Sequence, residues 1–391
     1  MGYITGHNRD RDSYQLIAAL AEDNQLDRFV TDYYEGVGPS LPSLSHRQHP
    51  LISPRLVSQS YRAFFAQLPY EFKRRIDKST DFPSYRVEKA LGKSIAAQAR
   101  RNPQSDLLIY SGSALWAFQG PSQGRRVLFQ YHPSPHFIAR TLEGIDELAS
   151  WRPWQQEAEV LDPALQDLHA QEVALADLVL CASSLTKAGL LEQGLAEEQI
   201  KVIPYGCPPI TQNPQGPADP TCRFLFVGQG VTRKGLHLLI EAWRQAGLKG
   251  SSLTVVASRL DPEIKDFAAG LENFELKGRV SQEELTKLME EADTFLLPSL
   301  LEGFGLVLSE ALAAGCRLIA SDHTGLVDMN LGPELSQVIP AGRLQPLIDA
   351  LKQAEESYDP QRPYRQQALE EAKALSWENF RSQVRQALQT S

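Results

Sequence analysis

Two glutamates separated by seven residues, Glu302 and Glu310, lie in the stretch LEGFGLVLSEALAAGCRLIA from Leu301 to Ala320. Gly303 and Gly305 flank Phe304, and the apolar-periodic run Leu306, Leu308, Ala311 and Leu312 stops at Gly315. A glycine-rich loop therefore feeds the N-terminus of a helix, and the short strand RLIA (317–320) follows. A helix N-terminus gathers unpaired N–H groups and partial positive charge, which suits a phosphate. Glycine lets the backbone come close to such a ligand. Carboxylates repel phosphate, so the two glutamates are expected to accept sugar hydroxyls on either side of a diphosphate. Taken singly, Glu302 reads as a solvated loop residue. Glu310, about one and a half turns into the helix, reads singly as a surface position. Their conjunction with the loop and the helix points to a sugar-nucleotide site.

A second strand-to-helix loop, GQGVTRKG (228–235), carries Gln229, Gly230, Arg233 and Lys234. Its glycines lack the dinucleotide-binding spacing, and Leu236 stands where a P-loop has lysine. What remains is a planar guanidinium fork and a point charge, both suited to a diphosphate. By itself the pair reads as solvated loop cations; beside the helix loop it reads as half of a diphosphate site. His132 ends the strand RVLFQYH (126–132) before Pro133. An imidazole there can bond a substrate hydroxyl or assist proton transfer. His136 does not join it as a metal ligand, because the intervening Pro-Ser-Pro is not helical. Ser111, Gly112 and Ser113 read as an ordinary turn.

These loops need strands and helices to hold them. Short apolar runs alternate with helix-length amphipathic stretches, the pattern of parallel sheets with crossover helices. In the first part, strands are expected at 3–5, 26–30, 106–110, 126–132, 177–183 and 201–204, with a helix over 12–24. From 31 to about 101 prolines loosen the pattern, which predicts an irregular insertion of short helices and loops. Prolines 204, 208, 209, 214, 217 and 220 mark an interdomain linker. Beyond it strands are expected at 223–228, 253–257, 293–297 and 317–320. Helices are expected at 235–246, after Asp261, at 281–291 behind a Ser281–Glu284 capping box, and at 375–389. Two doubly wound halves would put their strand C-terminal ends around one crevice, where ligands of open α/β sheets bind.

A chain of 391 residues, 42% hydrophobic and 22% charged, suggests two soluble globular domains. A net charge of −9 excludes general nucleic-acid binding. Neither a signal-peptide core nor a run of about 18 apolar residues appears. Cys181, Cys207, Cys222 and Cys316 lack metal-ligand spacing and read as buried free thiols, with the cytoplasm as the expected location. Within 62–101, ten basic residues accompany four acidic ones, with Tyr61, Phe64, Phe65, Tyr70 and Phe72 interleaved. Peripheral contact with an anionic membrane at its inner face, an acidic acceptor groove, or a solvated helical surface all fit this segment.

EGFGLVLSEALAAG, FVGQGVTRKG and the passage ADLVLCASSLTKAGLL…IKVIPYG resemble the retaining GT-B glycosyltransferases of the group 1, or family-four, class, which include bacterial mannosyl- and glucosyltransferases. The resemblance implies two Rossmann-like domains facing across a cleft. Residues 1–205 would form the acceptor-side domain, 206–220 the linker and 221–372 the nucleotide-sugar domain. A final helix over 373–391 would cross back. It further implies transfer of a hexose from a nucleotide-diphospho-sugar to a lipid or glycan hydroxyl, with no cofactor and no obligatory metal. Glu310 would hold ribose, Glu302 the donor sugar, Lys234 the diphosphate, and the Gly303–Leu306 amides diphosphate or sugar. His132 would lie near the transferred sugar. Gln229 stands where the family has arginine, with Arg233 as the replacement, and Thr5-Gly6-His7 stands where it has a glycine pair. A nucleotide-sugar epimerase and a silent sugar-nucleotide sensor share the plan.

Overall fold

The computed structural model describes residues 2–76, 84–145, 163–211 and 220–389. Among these, two parallel sheets form. The first comprises β1 (Tyr3–Gly6), β2 (Leu26–Thr31), β3 (Val57–Gln59), β4 (Asp106–Tyr110), β5 (Arg126–Gln130), β6 (Leu178–Cys181) and β7 (Ile200–Val202), in the order β3-β2-β1-β4-β5-β6-β7. The second comprises β8 (Cys222–Gly230), β9 (Ser251–Leu260), β10 (Phe274–Lys277), β11 (Thr294–Leu297), β12 (Arg317–Ser321) and β13 (Ser336–Ile339), in the order β10-β9-β8-β11-β12-β13. Strands such as LLI in β4 and TFLL in β11 are buried throughout, as expected when helices cover both faces. In each sheet the order reverses once, between β1 and β4 and between β8 and β11. Loops leaving the strands at such a reversal line a crevice.

The helices of the first half are α1 (Gln15–Glu22), α2 (Tyr61–Ile76), α3 (Ser84–Arg101), α4 (Ala114–Phe118), α5 (Pro135–Glu143), α6 (Pro163–Leu175) and α7 (Ser184–Glu192). Those of the second are α8 (Leu236–Ala246), α9 (Pro262–Phe267), α10 (Gln282–Glu291), α11 (Leu306–Ala313), α12 (Leu344–Glu356), α13 (Tyr364–Ala374) and α14 (Trp377–Gln389). The last packs on α1, where Arg381 and Arg385 pair with Glu22 and Arg381 donates to Gln15.

Two expectations need correction. The segment 31–101 follows the expectation of short helices and loops only up to 56, with three-residue helices at Pro42–Leu44 and Pro54–Leu56; beyond that it holds β3 and helices of 16 and 18 residues. Val87, Leu91, Ile95 and Ala99 recur every fourth residue on α3 and are buried with Ile4 and Val30. That stripe outweighs the prolines, one of which, Pro69, lies inside α2. The first helix starts at Gln15 rather than 12, because Ser13 and Tyr14 hold left-handed backbone (φ 51° and 61°). Asp12 instead accepts from the Leu16 amide at 3.2 Å. The start of the linker is fastened to the second half, Cys207 N donating to Leu375 O at 2.7 Å and Thr211 N to Ala313 O at 3.0 Å. Linker residues 212–219, and 77–83 of the basic segment, lie outside the described residues.

The second sheet is clamped at the strand ends remote from the crevice. Asp293, fully buried just before β11, accepts from Arg362 Nε at 2.5 Å, Tyr364 Oη at 2.9 Å and the Arg223 amide at 2.8 Å. Its own main chain bonds both β8 and β12. Asp293→Ala would strand the buried guanidiniums of Arg362 and Arg365. Breaking such a pair is expected to cost about 3–5 kcal/mol. Urea unfolding of the variant should show that loss; an unchanged midpoint would mean that the clamp contributes nothing.

Candidate active site at the facing sheet edges

The loop after β8 and the loop after β11 bracket the reversal of the second sheet, and backbone bonds lace them together. Leu300 N donates to Arg233 O at 2.8 Å, and Arg233 Nη1 donates to Leu301 O at 3.1 Å. Gly235 has φ 72°, and a Cβ there would stand 1.9 Å from the Pro298 carbonyl oxygen, so no side chain is tolerated at this crossing. Asp261, after β9, fixes the other side of the loop by accepting from Thr232 N at 3.1 Å. This lacing sets the half-buried Lys234 Nζ against the buried Glu302 Oε1 as an ion pair.

Glu302 also accepts from Ser299 Oγ at 2.9 Å, and its own amide donates to His323 O at 2.9 Å. Burial would raise its carboxyl, but Lys234 and Arg233 overcome that and hold it down at about 2. Glu302 is therefore a fixed carboxylate. It can accept hydroxyl protons and has none to give at neutral pH.

The first sheet closes over this pair. A Cβ on Gly303 would lie 2.1 Å from Tyr131 O and 3.0 Å from the His132 Cα, so the loop after β11 rests directly on the main chain after β5. Ser183 Oγ donates to Gly303 O at 2.5 Å, and Ser184 N donates to the Asp328 carboxylate at 3.0 Å. Tyr205 packs edge-on against Phe304, with 5.6 Å between centroids. His132 is half-buried at this junction, its Nδ1 3.3 Å from the Pro133 carbonyl oxygen. A carbonyl only accepts, which places the proton on Nδ1 and leaves Nε2 as an acceptor. Burial, reinforced by Arg233, pushes the imidazole down to about 3.

Glu302, Gly303, Phe304, Lys234, Arg233 and His132 are thus brought together. Gly305 takes φ 90° at the N-cap of α11, and Leu306 opens that helix. Glu310 stands exposed on α11, slightly more than one turn beyond the cap. Gln229 is exposed at the end of β8, and Gly230 is pressed against Leu260 and the Arg259 carbonyl. A cavity of about 370 Å³ opens beside the Asp261 anchor, lined by Ser258, Arg259, Lys265 and Arg279 among others. Ser299, Tyr131, Ser183 and Asp261 were not legible as site residues. Serine, tyrosine and aspartate at strand ends carry no signal until the fold assigns them neighbours.

The sequence pattern described as glycosyl transferases group 1 matches residues 211–373. The second domain is a group 1 glycosyltransferase domain. The chain is 32% identical over 188 aligned residues to the amylovoran biosynthesis glycosyltransferase AmsK of Erwinia amylovora, covering 44% of this chain and 45% of that protein. It is 30% identical over 158 residues to the GDP-mannose:cellobiosyl-diphosphopolyprenol alpha-mannosyltransferase of Xanthomonas oryzae pv. oryzae, covering 38% of this chain and 41% of that protein. The matches span less than half the length of these curated relatives. The whole chain superposes on sucrose-phosphate synthase from Thermosynechococcus elongatus with a TM-score of 0.71 at 18% identity, covering 100% of this chain and 98% of that one. WaaG, a glycosyltransferase involved in lipopolysaccharide biosynthesis, superposes with a TM-score of 0.62 at 16% identity, covering 98% of each chain. The fold is GT-B, two Rossmann-like domains around a cleft.

The neutral state of His132 is testable beside this domain. Its ring resonances should not titrate between about pH 5 and 8, whereas an unperturbed histidine titrates near 6.5. Nitrogen-15 NMR of labelled protein, assigned with His132→Gln, checks this; a titration near neutrality would contradict the cationic surroundings described here.

Proposed function

We propose that this protein transfers a hexose from a nucleotide-diphospho-sugar to a lipid or glycan hydroxyl, with retention of anomeric configuration. The observation that carries this reading is the Glu302–Lys234 pair with Arg233, held at the reversal of one sheet against His132 of the other. In this reading Glu302 takes the hydroxyls of the donor sugar and Glu310 those of ribose. Lys234, Arg233 and the amides opening α11 stabilise the departing diphosphate, while His132 Nε2 accepts from a sugar hydroxyl. The cavity beside Asp261 receives the nucleoside end. The anomeric carbon loses its bond to the diphosphate oxygen and gains one to the acceptor oxygen on the same face. The acceptor's proton passes to the departing phosphate. Fixed cations already supply the charge stabilisation, so no divalent ion is expected to be required. An epimerase would need a proton donor at the sugar, and a carboxyl held near 2 is unsuited to that.

The Xanthomonas relative's name couples a nucleotide sugar with a polyprenol-linked acceptor, which supports an acceptor of that kind here. On α2, Tyr61, Phe65 and Leu68 repeat at helical spacing and are 62%, 59% and 46% exposed, with Arg62 exposed beside them. Arg86 and Lys93 are exposed on α3. Among the described residues no helix is long and apolar enough to cross a membrane. An apolar stripe with basic neighbours instead fits the surface of an anionic bilayer at the inner face.

Two measurements test these readings. In a thermal-shift screen with UDP-, GDP- and ADP-sugars, at least one donor should stabilise the protein, and mass spectrometry should detect its sugar on candidate lipid or glycan acceptors. Glu310→Ala should weaken binding of the matching nucleoside diphosphate by roughly ten- to hundredfold, the equivalent of about 1.5–3 kcal/mol. Stabilisation by none of the donors would remove the donor reading. For the membrane, the protein should sediment with anionic but not neutral liposomes. High salt and joint replacement of Tyr61, Phe65 and Leu68 by serine should each abolish this. Protein that stays in the supernatant at low salt would leave α2 as a solvated surface.

A further inference from the structure

We propose that His323 is a positioning residue that holds Glu302 at the crevice by gripping the main chain of residues 300–302. The inference rests on the reading of Glu302 as the group that takes the hydroxyls of the donor sugar.

Strands β11 and β12 run parallel and in register, with Leu297 opposite Ala320, so the loops that follow them leave the sheet side by side. His323, half-buried, lies in the second of these loops. Its carbonyl oxygen accepts from the Glu302 amide at 2.9 Å, and its ring Nδ1 lies 2.8 Å from the Leu300 carbonyl oxygen. A carbonyl only accepts, so Nδ1 carries a proton and donates. Arg233 grips the same three residues in the same way. Its carbonyl accepts from Leu300 N at 2.8 Å, and its Nη1 donates to Leu301 O at 3.1 Å. Leu300 and Leu301 are fully buried, so their carbonyl oxygens need protein donors. The segment 300–302 thus hangs between an arginine and a histidine, each giving it one main-chain and one side-chain bond.

The loop that carries His323 is firm enough to act as a template. Asp322 N donates to Ile339 O at 2.9 Å, and the Asp322 carboxylate accepts from Ala341 N at 2.8 Å. The buried Thr324 donates through Oγ1 to Ser321 O at 2.7 Å. Before and after the histidine the two loops are fastened again. Ser321 Oγ donates to Ser299 O at 2.5 Å, and Gly325 N donates to Phe304 O at 2.7 Å. A Cβ on Gly325 would stand 2.2 Å from the Phe304 ring, so the loops meet there with no side chain between them. Ser299, seated by Ser321, donates from its own Oγ to Glu302 Oε1 at 2.9 Å. The place of the carboxylate is therefore set by the loop after β12. Lys234 compensates its charge, but an ammonium on a flexible four-carbon stem fixes little direction. A carboxylate that must meet particular sugar hydroxyls needs such support, because a site loose by about 1 Å fails.

Calorimetry on wild type, His323→Leu and His323→Asn tests the grip. The paired probes are UDP and UDP-glucose, GDP and GDP-mannose, and ADP and ADP-glucose. His323→Leu should lose roughly tenfold or more in affinity for the nucleotide sugar that wild type binds, because small displacements of orienting groups are costly. Its affinity for the matching nucleoside diphosphate should hold. His323→Asn, whose amide N–H can replace the Nδ1 proton, should recover the lost affinity. Equal loss for both members of a pair, or loss for neither, overturns the positioning role. In the proteins without ligand, hydrogen exchange over 299–306 should quicken in His323→Leu and return in His323→Asn, while exchange over β8 and β9 stays as in wild type. Unchanged exchange over 299–306 also overturns the role. Thermal unfolding checks folding. His323→Ala, which admits water to the Leu300 carbonyl, stands in should the leucine variant misfold. Glu302→Ala reports on the underlying reading by itself. If that variant binds the nucleotide sugar as wild type does, or wild type binds none, the donor-sugar reading fails and the exchange result alone decides the grip.

Discussion

The contact of Gly303 with the main chain at Tyr131 and His132 is the constraint on which the crevice depends. A single methyl group there would stand 2.1 Å from a carbonyl oxygen, far inside any tolerable approach. Because the residue is glycine, the loop after β11 can seat itself on the strand end of the opposite sheet. Ser183 then closes the contact by donating to the Gly303 carbonyl. Glu302 precedes this glycine and Phe304 follows it, so the same contact orients the carboxylate toward Lys234 and presses Phe304 onto Tyr205. Tyr205 also meets Phe129, Trp377 and Phe380, which ties the first sheet, the loop after β11 and the C-terminal helix into one apolar cluster.

Burial makes the charges at that junction consequential. A carboxylate taken out of water is costly unless a partner compensates it. Lys234 and Arg233 supply that compensation, which is why Glu302 stays ionised although it is buried. Burial, reinforced by Arg233, makes a protonated His132 unfavourable. The junction thus carries one fixed anion, two neighbouring cations and a neutral imidazole, hydrogen-bond acceptors set beside positive charge. The Asp293 cluster sits at the opposite ends of the strands of the same sheet, where β11 begins.

The second half was the more legible half because its signals are local. A strand, a glycine loop and an amphipathic helix occupy adjacent residues, so Glu302, Gly303, Phe304, Gly305 and Glu310 could be assigned to one loop and one helix from their order alone. Arg233 and Lys234 were legible for the same reason. The first half resisted that treatment. Its prolines suggested irregularity over 31–101, yet α3 forms there because its four-residue apolar stripe has a sheet to bury against. The helix expected at 12 begins at 15, since the Asp12 carboxylate satisfies an amide that a longer helix would have left to the backbone.

Residue order alone therefore determined the alternation of strands and helices, the two halves, and the loops that carry Glu302, Lys234 and His132. These follow from periodicity, glycine placement and the chemistry of helix termini, all of which act within a few residues. Only the tertiary structure decided that Lys234 pairs with Glu302 across 68 positions of chain, that His132 is neutral, and that Arg11 lies on Tyr131 beside the loop after β11. An ion pair, a desolvated imidazole and a ring-stacked guanidinium depend on distance and on the exclusion of water. Neither quantity is set for residues remote in sequence until the sheets have packed.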